Sequence, residues 1–104
     1  MLGVIVAKNN FFMIRSFKCK DTESFFQGKT VLKFALIATV ASRKLAYLNA
    51  ATSLQDLKVP PANCLEALKN DRKGQHSIRI NKQYRICFVW RNGDAYEVEI
   101  VDYH

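Results

Sequence analysis

The hydrophobic period of this chain changes at Pro60-Pro61, and no other feature constrains the fold as strongly. Before the prolines, Leu36, Val40, Ala41, Leu45 and Leu48 fall at helical spacing. They predict a helix over much of 32–51, with Arg43, Lys44 and Asn49 on its outer side. After the prolines the period becomes two, and strands are expected over 64–69, 77–80, 84–90 and 96–101. Asn92-Gly93 marks a hairpin turn and Asn81-Lys82 a second one. Upstream, 14–18 alternates like a short strand. Asp21 or Thr22 is placed to cap a brief helix through Phe25 and Phe26, which Gly28 would stop. Helices first and an antiparallel meander afterwards define an α+β domain with its helices on one sheet face. A length of 104 residues suits a single domain.

The alternation also gives a register. Ile78 and Ile80 should share a face with Tyr84, Ile86, Phe88 and Trp90. Tyr96, Val98 and Ile100 join them if the hairpin loops hold an odd number of residues. Ser77, Arg79, Arg85, Glu97, Glu99 and Tyr103 then occupy an opposite, polar face. Cys87 reads as a small core hydrophobe.

Lys and Arg number 16 against 9 Asp and Glu, a formal net charge of +7, which favours a polyanionic partner. Cys19, Cys64 and Cys87 are an odd number without CxxC spacing, and His76 and His104 lack metal-ligand spacing. Neither a disulfide framework nor a metal or other cofactor is expected, and a reducing cytoplasm fits best. The apolar runs 2–7 and 34–41 are too short to span a bilayer, so no membrane association is expected.

The chemistry-bearing residues gather late in the chain. Lys69, Arg72, Lys73, Arg79 and Arg85 lie close in sequence, and guanidinium groups grip phosphate oxygens in pairs. Asp102, Tyr103 and His104 place three proton-handling side chains together. RNA carries its own nucleophile, the 2′-hydroxyl, so a protein that cleaves it needs cations for the phosphorane and groups that move protons. No metal is required for that chemistry.

Residues 60–104 resemble the HigB family of bacterial toxins, within the RelE/ParE superfamily, in the branch called plasmid-maintenance killer proteins. The resemblance is carried by Leu65-Glu66-Ala67-Leu68-Lys69, Asp71-Arg72-Lys73-Gly74-Gln75, Ser77-Ile78-Arg79-Ile80-Asn81, Tyr84-Arg85-Ile86-Cys87-Phe88 and Val98-Glu99-Ile100-Val101-Asp102-Tyr103-His104. It resumes at Met13-Ile14-Arg15-Ser16-Phe17, leaving 1–12 as an extension without family counterpart or an upstream start-codon artefact. The resemblance implies a RelE-like toxin that cuts messenger RNA on the translating ribosome. It also implies a HigA-type helix-turn-helix antitoxin, which would carry the toxin to operator DNA. Lys69 and Arg85 match positions of phosphate contact and transition-state charge. Asp102, Tyr103 and His104 match the family's terminal active-site cluster, with the general base among them undecided. Arg72, Lys73 and Arg79 are expected to bind RNA. The chain departs from the family at Cys64 (usually Arg), Asn70 (usually Gly) and Tyr84 (usually Trp), and Glu66 stands where some relatives have His. Two other functions fit the same residues: a ParE-like gyrase inhibitor, and an RNA- or ribosome-binding module without catalysis.

Overall fold

The computed structural model describes residues 13–103. The run 2–7, the reading of 1–12 as an extension, and His104 lie outside the described residues. Helix α1 spans Lys20–Phe26 and α2 spans Ala38–Ala50, with a 3-10 segment at Leu32–Ile37 leading into α2. Strands β1 (Glu66–Ala67), β2 (His76–Arg79), β3 (Tyr84–Arg91) and β4 (Asp94–Asp102) form one antiparallel sheet in the order β1-β2-β3-β4.

The helical half is less regular than its spacing predicts. A 3-10 turn has three residues, so i and i+3 share a face. Phe34 and Ile37 therefore point inward, whereas Leu36, expected in the core, is fully exposed. From Ile37 onward the α-period takes over, and Ala41, Leu45 and Leu48 pack on the sheet. Lys44 lies on that same stripe, three residues after Ala41 and four before Leu48. It is buried to 4 % exposure, against the expectation of an outer position. Asn49 also turns inward, its Oδ1 accepting the Met13 and Ile14 N–H groups at 3.1 and 3.3 Å.

Neither Asp21 nor Thr22 caps α1, whose N-cap is Cys19 without a side-chain bond. Thr22 instead is fully buried, and its hydroxyl accepts the Ile100 N–H at 3.0 Å, docking α1 on β4. Gly28 ends the helix as expected. It takes φ +94° while the N–H groups of Gly28 and Lys29 bond Phe25 and Ser24 carbonyls, a Schellman closure.

Asn92 and Gly93 both have positive φ, as a tight hairpin turn requires. Asn81 Oδ1 accepts the Gln83 and Tyr84 N–H groups and forms the second turn. The tight β3–β4 turn pairs Trp90 with Ala95, so Ala95 enters the core and Tyr96 turns to the opposite face beside Val89. A bulge opposite Phe88, with Glu97 at φ 52°, then returns Val98 and Ile100 to the core. The expected strand at 14–18 is reduced to two parallel bridges along β4, Ile14 to Ala95 and Phe17 to Val98. Ser16 Oγ accepts the N–H of the bulged Glu97 at 2.9 Å. The expected strand at 64–69 shrinks to β1, because Cys64 adopts a left-handed backbone with φ 47°.

A candidate phosphate-binding face on the open side of the sheet

The helices cover one sheet face and leave the other open. Register pairs Arg79 with Arg85, Ser77 with Cys87 and Cys87 with Glu99, so these side chains share the face away from α2. Ser77 and Cys87 are fully buried within it. Cys87 is thus a buried thiol as expected, but on the polar side. Burial pushes its pKa up, against the pull of Arg72.

Arg85 is the best-anchored cation of the face. Its Nε donates to Ser77 Oγ at 2.7 Å, and its Nη2 donates to the Cys64 carbonyl at 2.7 Å. Glu66 Oε1 lies 3.6 Å from Nη2, and the guanidinium carbon is 5.9 Å from the Tyr103 ring centre. The side chain is 14 % exposed. Two anchors on one planar fork fix its orientation before any ligand arrives. The left-handed turn at Cys64 is what aims that carbonyl inward.

The loop after β1 folds over the same face. Lys69 precedes a 3-10 turn at Asn70–Arg72, and Arg72 Nη1 reaches Glu99 on β4 at 3.0 Å and Gln75 at 3.1 Å. The Glu99 bond pushes the Arg72 guanidinium pKa further up. Lys69 and Lys73 are exposed, and among the described residues neither has a carboxylate within ion-pair distance. Asn70 takes φ 56°, a conformation that glycine adopts most readily and asparagine next.

The expected terminal cluster divides. Tyr103 joins the Arg85 face, held by its N–H bond to the Gln83 carbonyl at 2.6 Å. Asp102 pairs with Tyr84 in register and turns to the other face, where Gln83 Nε2 donates to it at 3.1 Å. It lines a cavity of about 230 Å³ with Lys33, Phe34, Tyr84 and Ile100. Arg79 sits across from Arg85, its Nε donating to the Asn81 carbonyl at 3.1 Å. Ser77, Glu99 and the Cys64 carbonyl complete the site, and residue chemistry alone did not assign them a role. Alternation placed Ser77 and Glu99 on the correct face; the missing information was the cross-strand pairing that brings them to Arg85 and Arg72.

Among the described residues, no group of three or more His, Cys, Asp or Glu side chains is arranged to hold a metal, and no helix is long and apolar enough to cross a membrane.

The antiparallel sheet with its helices on one face is a RelE-like α+β fold. A chain of the YoeB-YefM complex from Staphylococcus aureus shares this fold: TM-score 0.52 at 18 % identity, over 88 % of this chain and 97 % of the other. Residues 15–104 match the family described as RelE-like toxin of type II toxin-antitoxin system HigB. Toxin HigB-1 of Vibrio cholerae serotype O1 is 40 % identical over 85 residues, covering 80 % of this chain and 90 % of that protein. Endoribonuclease HigB of Proteus vulgaris is 36 % identical over 93 residues, covering 88 % of this chain and all of that protein. The chain belongs to the HigB family of RelE-like toxins of type II toxin-antitoxin systems.

Proposed function

We propose that this toxin is an endoribonuclease that cuts messenger RNA on the ribosome without a metal. The observation that carries the reading is the pre-anchored Arg85, tied to Ser77 Oγ and the Cys64 carbonyl beside Tyr103. The relative named Endoribonuclease HigB supports the same reading. In the reaction the RNA 2′-oxygen attacks the adjacent phosphorus and the bond to the 5′-oxygen breaks. The 2′-hydroxyl loses a proton and the leaving 5′-oxygen gains one, giving a cyclic phosphate and a 5′-hydroxyl. Arg85 stabilises the charge that gathers on the phosphoryl oxygens, and Lys69 and Arg72 hold neighbouring phosphate. Tyr103 and His104 serve the proton transfers. Asp102, on the opposite face, acts by fixing the end of β4 through Gln83.

The partner that restrains this activity is a HigA-type antitoxin with a helix-turn-helix, which takes the toxin to operator DNA. The setting is the cytoplasm, where ribosomes and messages meet. Primer-extension mapping of transcripts after brief induction tests the reading. New cleavage ends should appear with the wild type and vanish with Arg85→Gln, while the variant stays folded and still binds antitoxin. Growth arrest with intact transcripts would sink it in favour of gyrase inhibition or binding without catalysis.

A further inference from the structure

A second cationic centre lies outside the Arg85 cluster. Between α2 and the end of β2 is an open cavity of about 360 Å³ lined by Arg43, Lys44, Cys64 and Arg79, with no acidic residue in its lining. It exists because β1 pairs only with His76 and Ser77, leaving the rest of the β2 edge to the loop around Cys64.

Lys44 is the unusual member. Its ammonium is buried, and it donates to Asn63 Oδ1 at 2.5 Å. Asn63 is neutral, and its Nδ2 is committed to the Leu57 and Val59 carbonyls. Among the described residues no carboxylate lies within ion-pair distance of Lys44. Burial pushes its pKa down and nearby Arg43 adds to the effect. Buried charges are ordinarily paired. An anion in this cavity would supply the counter-charge that the Lys44 ammonium lacks.

We propose that Lys44, Arg43 and Arg79 form a second phosphate subsite, which takes a phosphodiester of the bound RNA next to the one held at Arg85. The inference rests on the RNA-cleaving reading of the previous subsection. Continuity of the two sites is carried by Cys64: its carbonyl holds Arg85, and the residue also lines the cavity. The strand of RNA would thus run from the Arg85 face across Cys64 toward α2.

Cys64 is exposed and supplies the test, with half-buried Cys19 as an internal reference. Its alkylation by anionic iodoacetate and neutral iodoacetamide is followed by mass spectrometry in the wild type, Arg43→Gln and Arg79→Gln. Iodoacetate should be favoured in the wild type relative to iodoacetamide, and each variant should lower that ratio several-fold. A short 2′-O-methyl single-stranded RNA should protect Cys64 at concentrations where inorganic phosphate competes only weakly. Each arginine lost should reduce the slope of log binding constant against log salt by about 0.7. Lys44→Met, similar in length but uncharged, should lower the ratio as well, with circular dichroism confirming the fold. Unchanged ratios and slopes in the arginine variants would overturn the proposal, as would protection of Cys64 by antitoxin but not by RNA. Arg85→Gln separates the two readings. If it abolishes cleavage while RNA still protects Cys64, both readings stand. If the wild type cleaves but leaves Cys64 unprotected, the subsite alone fails. If RNA protects Cys64 while even the wild type cuts nothing, only the catalytic reading fails.

Discussion

Ser77 should act in catalysis only through Arg85, and a double-mutant cycle can show it. Ser77 is fully buried, and its hydroxyl accepts the Arg85 Nε donor at 2.7 Å. A hydrogen bond to a charged group contributes about 1.5–3 kcal/mol. Were all of it spent on orienting the guanidinium, Ser77→Ala would cost about 10- to 100-fold in rate, since each 1.36 kcal/mol is about tenfold. The Cys64 carbonyl still holds Nη2 and Glu66 stays 3.6 Å away, so the loss belongs near the lower limit, about tenfold. Arg85→Gln removes the positioned cation itself and should cost about 10²–10³. The double variant should then be no slower than Arg85→Gln, because a positioning group has nothing left to position. Single-turnover cutting of a labelled message on programmed ribosomes measures all four rates, and urea unfolding checks that each variant is folded. Additive losses would refute the reasoning, since Ser77 would then contribute independently of Arg85.

Other perturbations test the fold around the site. Thr22→Val leaves the buried Ile100 N–H without an acceptor and should destabilise by about 1–3 kcal/mol in urea unfolding. Leu36→Gln should change stability by less than about 0.5 kcal/mol, whereas Ile37→Ala, one residue later, should cost about 2–5 kcal/mol. Asp56 accepts N–H bonds from Thr52 and Ser53, the Thr52 bond foremost in holding its carboxyl below the usual range. Its stabilising contribution is complete above the unfolded carboxyl pKa and is lost as pH falls through the folded one. Acid titration of stability should therefore show a shallower fall in Asp56→Asn than in the wild type.

The sheet was largely legible because period-two alternation and Asn92-Gly93 depend only on neighbours in sequence. Where the reading failed, a local rule met a longer-range one. Lys44 was assigned outward because it is charged, yet helical geometry puts it on the Ala41–Leu48 stripe, and the distant Asn63 makes the position tolerable. Leu36 followed the α-period in a segment that winds as a 3-10 turn. Tyr96 was misplaced because the expectation assumed an odd hairpin loop and unbroken alternation: the tight Asn92-Gly93 turn sends Tyr96 to the other face, and the bulge at Glu97, which no residue type announces, brings Val98 and Ile100 back. The arginines of the candidate phosphate-binding face were visible from composition and resemblance. Their anchors were not, since Ser77, Glu99 and the Cys64 carbonyl matter only through cross-strand pairing and one left-handed turn.

The bent loop at 60–64 joins these elements into one device. Asn63 is held from below by Lys44 on α2 and itself holds the carbonyls of Leu57 and Val59. The next residue, Cys64, turns left-handed and delivers its carbonyl to Arg85. Loops are ordinarily the softest part of a domain, and a site built on one loses precision. Here the loop is pinned from inside the core, so a guanidinium on β3 is oriented by β2 on one side and by the helical layer on the other. That arrangement fixes the Arg85 cation on a sheet face no helix covers, as the proposed phosphate chemistry requires. Its cost is the buried ammonium of Lys44, which the proposed phosphate subsite would offset with an anion of the substrate.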